Sequence, residues 1–249
     1  MTRYLPLILI LLLLVPAVGT AQQAMPFPKL SMEVGKSAKP EDVAVTLQIL
    51  FLMTVLSLAP AILILTTAFT RIIVVFHFLK QAMGTPQMPP SQILVGLALF
   101  LTFFVMAPVW NKINEVGLKP YMNNQITLEQ AYDRGVEPLR DFMFRQARED
   151  DIALFMKMAN IEKPKNRADV PTYVLVPAFA IGELRQGFQI GFMLFIPFLI
   201  VDMVVSSILM SMGMMMLPPV MISLPFKILL FILVDGWHLI VGSVVSSFK

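Results

Sequence analysis

Two apolar stretches, residues 43–83 and 172–212, constrain this chain more than any other feature. Each runs for about 40 residues. As a straight helix that is about 60 Å, twice the ~30 Å hydrocarbon core of a bilayer. Each stretch must break, tilt steeply or leave the membrane. Pro60, Pro177 and Pro197 mark the expected breaks, because proline removes a backbone donor and clashes with the preceding turn. Composition agrees with a membrane protein: 57% of residues are hydrophobic and 14% charged, against about 25% charged in soluble domains.

The expected fold is all-α and membrane-associated, two long kinked helical hairpins with a small helical insert between them. Residues 1–21 read as a signal peptide, with Arg3 as the basic start, an apolar core over 5–15, and Gly19 and Ala21 before a cleavage point. An uncleaved anchor is the alternative. Cleavage places the mature N-terminus outside the cytoplasm and the insert on the periplasmic side. Residues 22–42 form a polar, proline-containing leader, 43–110 the first hairpin, 111–170 the insert and 171–249 the second hairpin.

The insert differs sharply in character. Residues 111–169 hold ten basic and ten acidic side chains, more than half of the chain's charge. Thr127 and Gln130 have the spacing of a capping box. Pro138 suits a first helical position, and Glu149, Asp150 and Asp151 suit a helix N-terminus. The charges read as a solvated surface.

Two short stretches repeat. "AMGTPQMPP" (82–90) and "SMGMMMLPP" (211–219) both read Met-Gly, four residues, Pro-Pro. Glycine favours the position past a helix end and proline the start of the next helix. Gly84, Pro89 and Pro90, and Gly213, Pro218 and Pro219, therefore mark two hairpin tips. Because the insert leaves and returns on one side, both tips face the same way, toward the cytoplasm. Internal duplication and a chance match of turn residues both account for the pattern. The second tip carries a methionine run, Met214, Met215 and Met216, that the first lacks.

Six charges stand within apolar stretches: Arg71, Glu183, Arg185, Asp202, Lys227 and Asp235. An ionised group in hydrocarbon costs at least ~2.5–3.5 kcal/mol, so each needs a partner or water. A turn near Met215 sets Asp202 opposite Lys227, either as a staple or as part of an ion path. Arg71 finds no acid on its own hairpin, which leaves Glu183, Asp235 or another subunit. Gly182, Gly187 and Gly191 permit close helix approach. These unmatched charges argue for an assembly.

Catalytic motifs are missing. There is no cysteine and there are two histidines, His77 and His238, and no phosphate loop, His-Glu-x-x-His pattern or nucleophile elbow. No catalysis, cofactor or metal is expected. Methionine suits copper(I), but consecutive methionines point in different directions. A net charge of +3 is too small to bring nucleic acid. Methionine is flexible and adapts to varied surfaces, so a ring of methionine tips would make a deformable apolar constriction.

Residues 57–109, "SLAPAILILTTAFTRIIVVFHFLKQAMGTPQMPPSQILVGLALFLTFFVMAPV", together with "PAFAIGELRQGFQIGFMLFIPFLIVDMVVSSILMSMGMMMLPP" and "PFKILLFILVDGWHLI", resemble the FliP/SctR family of type III secretion export-gate subunits. The resemblance implies a homopentamer joined by FliQ and FliR, wound into a cone that rises above the plane of the inner membrane. It implies passage of unfolded protein substrates and a methionine gate at Met214, Met215 and Met216. The leader favours the flagellar branch, in the basal body. The insert matches only in character. Two other readings stand beside the pore-forming subunit: a small-ion channel using the buried charges, and a purely structural scaffold of the export apparatus.

Overall fold

The computed structural model describes residues 40–248 apart from 86, 87, 163, 165 and 215. The expected signal peptide, nearly all of the leader and Met215 lie outside the described residues. The described residues are mainly helical, with no strand among them: α1 (Pro40–Thr66), α2 (Phe69–Met83), α3 (Ser91–Ile113), a π turn (Asn114–Leu118) running on into α4 (Lys119–Met122), α5 (Leu128–Gln146), α6 (Glu149–Met158), α7 (Thr172–Ser211), α8 (Pro219–Leu233) and α9 (Gly236–Ser246). Two compact units divide after Phe51, within α1. The described part of the first is the opening of α1. The packing below belongs to the second, Leu52–Lys249.

The breaks do not fall at the expected prolines. α1 runs through Pro60, and α7 runs through both Pro177 and Pro197 for 40 residues. One proline removes one intrahelical bond, which a long apolar helix survives. The first stretch instead breaks between Thr66 and Phe69. There the hydroxyls of Thr66, Thr67 and Thr70 donate to the carbonyls of Ile62, Leu63 and Ile64 at 2.8, 2.8 and 3.1 Å. A run of threonines thus satisfies several carbonyls that a helix end exposes. Pro138 is likewise interior. The Thr127 capping box starts a single helix, α5, that continues past it.

α2 packs most extensively on α7 and also against α3, while α7 packs on α6, α5 and α8. Ile72, Val75, Phe76 and Leu79 of α2 are fully buried, at the spacing of one helix face. Val174, Leu175 and Phe179 face them in the same core. Elsewhere apolar side chains point outward: Phe100, Phe103 and Phe104 of α3, and Phe192 and Met193 of α7, are all exposed. In water such faces drive association; in lipid they are at home. Three helical runs are long and apolar enough to cross a membrane, and α8 with α9, bent by 65°, offers a fourth.

The α2–α7 contact depends on glycine. A Cβ at Gly191 would lie 2.6 Å from Cγ of Phe78, and one at Gly187 2.9 Å from Cγ1 of Val74. In an open helix position Gly→Ala stabilises by about 1 kcal/mol. At Gly191 the clash is with the base of an aromatic side chain that also stacks edge-on with Phe188, so the ring has no free retreat. We expect Gly191→Ala to destabilise despite its better helix propensity, by the 1–3 kcal/mol typical of overpacking. Thermal unfolding in detergent reads the sign, and a raised midpoint would contradict the close contact.

Candidate functional site

The buried charges meet at three places, all on α7. At the first, Arg71 of α2 and Glu183 of α7 are both fully buried. Arg71 Nε donates to Glu183 Oε2 at 3.0 Å, and Nη2 donates to Oε1. Nη2 also donates to Gln146 Oε1 at 2.8 Å, and Nη1 to the carbonyl and hydroxyl oxygens of Ser247 at 2.7 and 2.9 Å. The ring of Phe248 lies 3.8 Å from the guanidinium carbon. One side chain thereby joins α2, the end of α5, α7 and the C-terminal residues. Of the candidates for Arg71, Glu183 of the same chain is the partner.

At the second, Arg185 points away from Glu183, as a spacing of two on a helix requires. Its two terminal nitrogens donate to both oxygens of Asp151 at 2.8 Å each. Asp151 is buried in the first turn of α6. This corrects the reading of the insert's charges as wholly solvated. Asp151 docks α6 on α7. Buried Arg140 also turns inward, donating to Thr172 Oγ1 at 2.5 Å and the Val170 carbonyl at 2.8 Å.

At the third, Lys227 Nζ of α8 donates to Asp202 Oδ2 of α7 at 2.6 Å. Ser223 Oγ donates to Asp202 Oδ1 at 2.5 Å. Lys227 also donates to the carbonyl of Ala82 at 3.1 Å, in the last turn of α2, where helix carbonyls lack partners and the dipole favours a cation. The ammonium thus ties the second hairpin to the first tip. Five of the six charges are matched inside one chain, so they no longer argue for an assembly. Asp235 is the exception. It sits exposed at the α8–α9 bend in left-handed backbone (φ 49), and its side chain forms no hydrogen bond or ion pair among the described residues.

Both tips turn on left-handed glycines, Gly84 at φ 67 and Gly213 at φ 74. At the second, Gly213 N–H donates to the Met210 carbonyl and Met214 N–H to the Leu209 carbonyl, 3.0 Å each, the paired bonds of a Schellman turn. Pro219 opens α8. The methionines then stand clear of the chain: Met214 is 41% and Met216 99% exposed. A Cβ at Gly213 would meet nothing within 4 Å. Sequence reasoning missed Gln146, Ser247 and Asp151 as partners. They are ordinary polar residues far along the chain, and only the fold brings them to the charges.

Substitutions at two of these sites test this wiring. In Arg71→Lys the ammonium has three donors for the five acceptor contacts, and each buried polar group left unmatched costs about 1–3 kcal/mol. A large fall in thermal midpoint and in membrane abundance is expected; wild-type values would contradict the hub. Reversing Asp202 or Lys227 alone leaves like charges together, a loss of about 3–5 kcal/mol. Exchanging both restores the pair but sets a carboxylate against the Ala82 carbonyl, so rescue is partial. A double variant no better than the worse single one would refute the coupling.

The FliP family model matches residues 52–244. The chain is 58% identical over 217 residues to the flagellar biosynthetic protein FliP of Bacillus subtilis (strain 168), covering 87% of this chain and 98% of that protein. It is 54% identical over 203 residues to the protein of that name from Pectobacterium carotovorum subsp. carotovorum, covering 82% and 79%. With the one from Caulobacter vibrioides the figure is 48% over 236 residues, covering 95% and 86%. An all-α chain with membrane-length helices, matched over most of its length at these identities, belongs to the FliP family.

Proposed function

We propose that this chain is a pore-forming subunit of the flagellar type III protein export gate, and that it passes unfolded proteins across the bacterial inner membrane. In this reading several copies, five by the family resemblance, close a ring with FliQ and FliR. The insert lies on the periplasmic side. Exposed apolar faces of α3 and α7 take up neighbouring subunits and lipid, and each copy contributes one methionine tip to the narrowest point.

The observation that carries the reading is the tip. It ends the longest of the described helices and is tightly fixed at Gly213 by two backbone bonds. Yet Met216 is 99% exposed among the described residues. A side chain that is soft, apolar and unused by its own fold suits a contact with irregular passing chains or with its own copies. Relatives named flagellar biosynthetic proteins support the flagellar setting. The ion-channel reading loses ground because Arg71, Glu183, Lys227 and Asp202 are held by protein partners, which leaves Asp235 alone of the six charges without one among the described residues.

Replacing Met214, Met215 and Met216 with alanine removes the bulk of the constriction while leaving Gly213 and the prolines to make the turn. The expected result is a resting membrane leaky to small ions, with part of secretion retained. Unchanged permeability with normal membrane levels would refute the gate and favour a scaffold role.

A further inference from the structure

The insert carries two features that the wiring above does not use, at opposite ends of one helix. At its C-terminal end α5 joins α6 and the residues Ile161, Arg167 and Val170 around a cavity of about 710 Å³. Its apolar lining includes Phe144, Ile152, Met156 and Val170, and Lys157 and Arg167 also line it, with Glu149 as the one acid. At the N-terminal end, Leu128 and Tyr132 are 67% and 69% exposed. They stand one turn apart on the same face of α5, with Glu129 and Asp133 beside them in the same spacing. Leu128 and Tyr132 are among several exposed apolar side chains of the insert, with Met122 at 70% and Met158 at 69%, and they are the two that share a face with acidic neighbours.

The two features cannot serve each other within one chain. The helical rise between Leu128 and Phe144 is about 24 Å, and α5 is unbroken between them. We propose that they are the two halves of a contact between neighbouring copies. The Leu128–Tyr132 face of one copy seats in the cavity lined by Phe144, Met156 and Val170 of the next. Glu129 and Asp133 then meet Lys157 and Arg167. Patch and cavity are different surfaces, so the contact is head-to-tail. Such contacts continue from copy to copy until a ring closes, whereas a two-fold contact stops at a dimer. The charge match between the acidic start of α5 and the basic lining selects a second copy over an unrelated partner. This inference rests on the multi-copy reading above and gives it a surface in the insert.

The chain has no cysteine, so introduced thiols report alone. The full-length chain with Tyr132→Cys and Lys157→Cys is expressed in its membrane with the other export components, oxidised, and run without reductant. A ladder of cross-linked multimers is expected, while each single variant stays monomeric. Dimers from Tyr132→Cys alone would show a two-fold contact and overturn the proposal. A double variant that stays monomeric on the gel while the purified complex has a multimeric native mass would overturn this surface and leave the multi-copy reading standing. A monomeric native mass would overturn both. A second arm reverses charges: Asp133→Lys and Lys157→Asp should each reduce the multimer, and together restore it. Absence of restoration would remove the electrostatic half of the contact.

Discussion

A guanidinium shut away from water must place every donor it carries, and Arg71 places five: two on Glu183, two on Ser247 and one on Gln146. The arrangement is demanding because neither charge has any solvent to fall back on, and a buried pair stabilises only when its remaining donors and acceptors are also met. Here they are met by Gln146 and Ser247, so that with the pair itself four separate parts of the chain come together. The hub therefore fixes position as well as charge. It holds α2 against α7 in the register at which Gly187 and Gly191 pass Val74 and Phe78. It also holds the C-terminal residues against the end of α5 through Gln146, which donates to the Phe248 carbonyl.

The rest of the architecture hangs on that fixed pair of helices. With α2 in place, its last turn presents the Ala82 carbonyl to Lys227, and Lys227 in turn holds Asp202. The second hairpin is thereby aligned to the first tip. On the insert side, Asp151 grips Arg185 and docks α6 on the same long helix. α7 thus carries two charged contacts close together in its first half, at Glu183 and Arg185, and one toward its far end, at Asp202. Past Leu209, the last buried residue of α7, Met210, Met212, Met214 and Met216 are exposed. A rigid, well-anchored arm that ends in soft, uncommitted side chains is a sensible way to present a deformable surface at a defined point.

Much of this was legible in the sequence where the signal was local. The capping box at Thr127, the acidic opening of α6, and the two glycine turns at Gly84 and Gly213 depend on a few neighbouring residues. The facing of Asp202 and Lys227 followed from counting back from a turn. The helix breaks were misplaced because proline was weighed as a breaker without asking what would satisfy several carbonyls at once; Thr66, Thr67 and Thr70 supply that. Pro138 misled for the same reason. The closure of the Arg71 hub was only partly legible. Glu183 stood out as an acid in an apolar run, but Gln146 and Ser247 carry no local mark, and they are 75 and 176 residues away from Arg71. Nor could the sequence show that the insert turns Asp151 and Arg140 inward, since both look like members of a charged surface.

The central claim is that the methionine tip is aimed at its own copies around a shared axis, and not at lipid. The most direct measurement is an image reconstruction of the intact complex purified from membranes, at a resolution that locates the second tip. The account predicts a closed ring of copies with Met216 of each one in contact with its neighbours at the narrowest point on the axis. Tips splayed outward to the lipid-facing perimeter, or a particle containing a single copy, would contradict it.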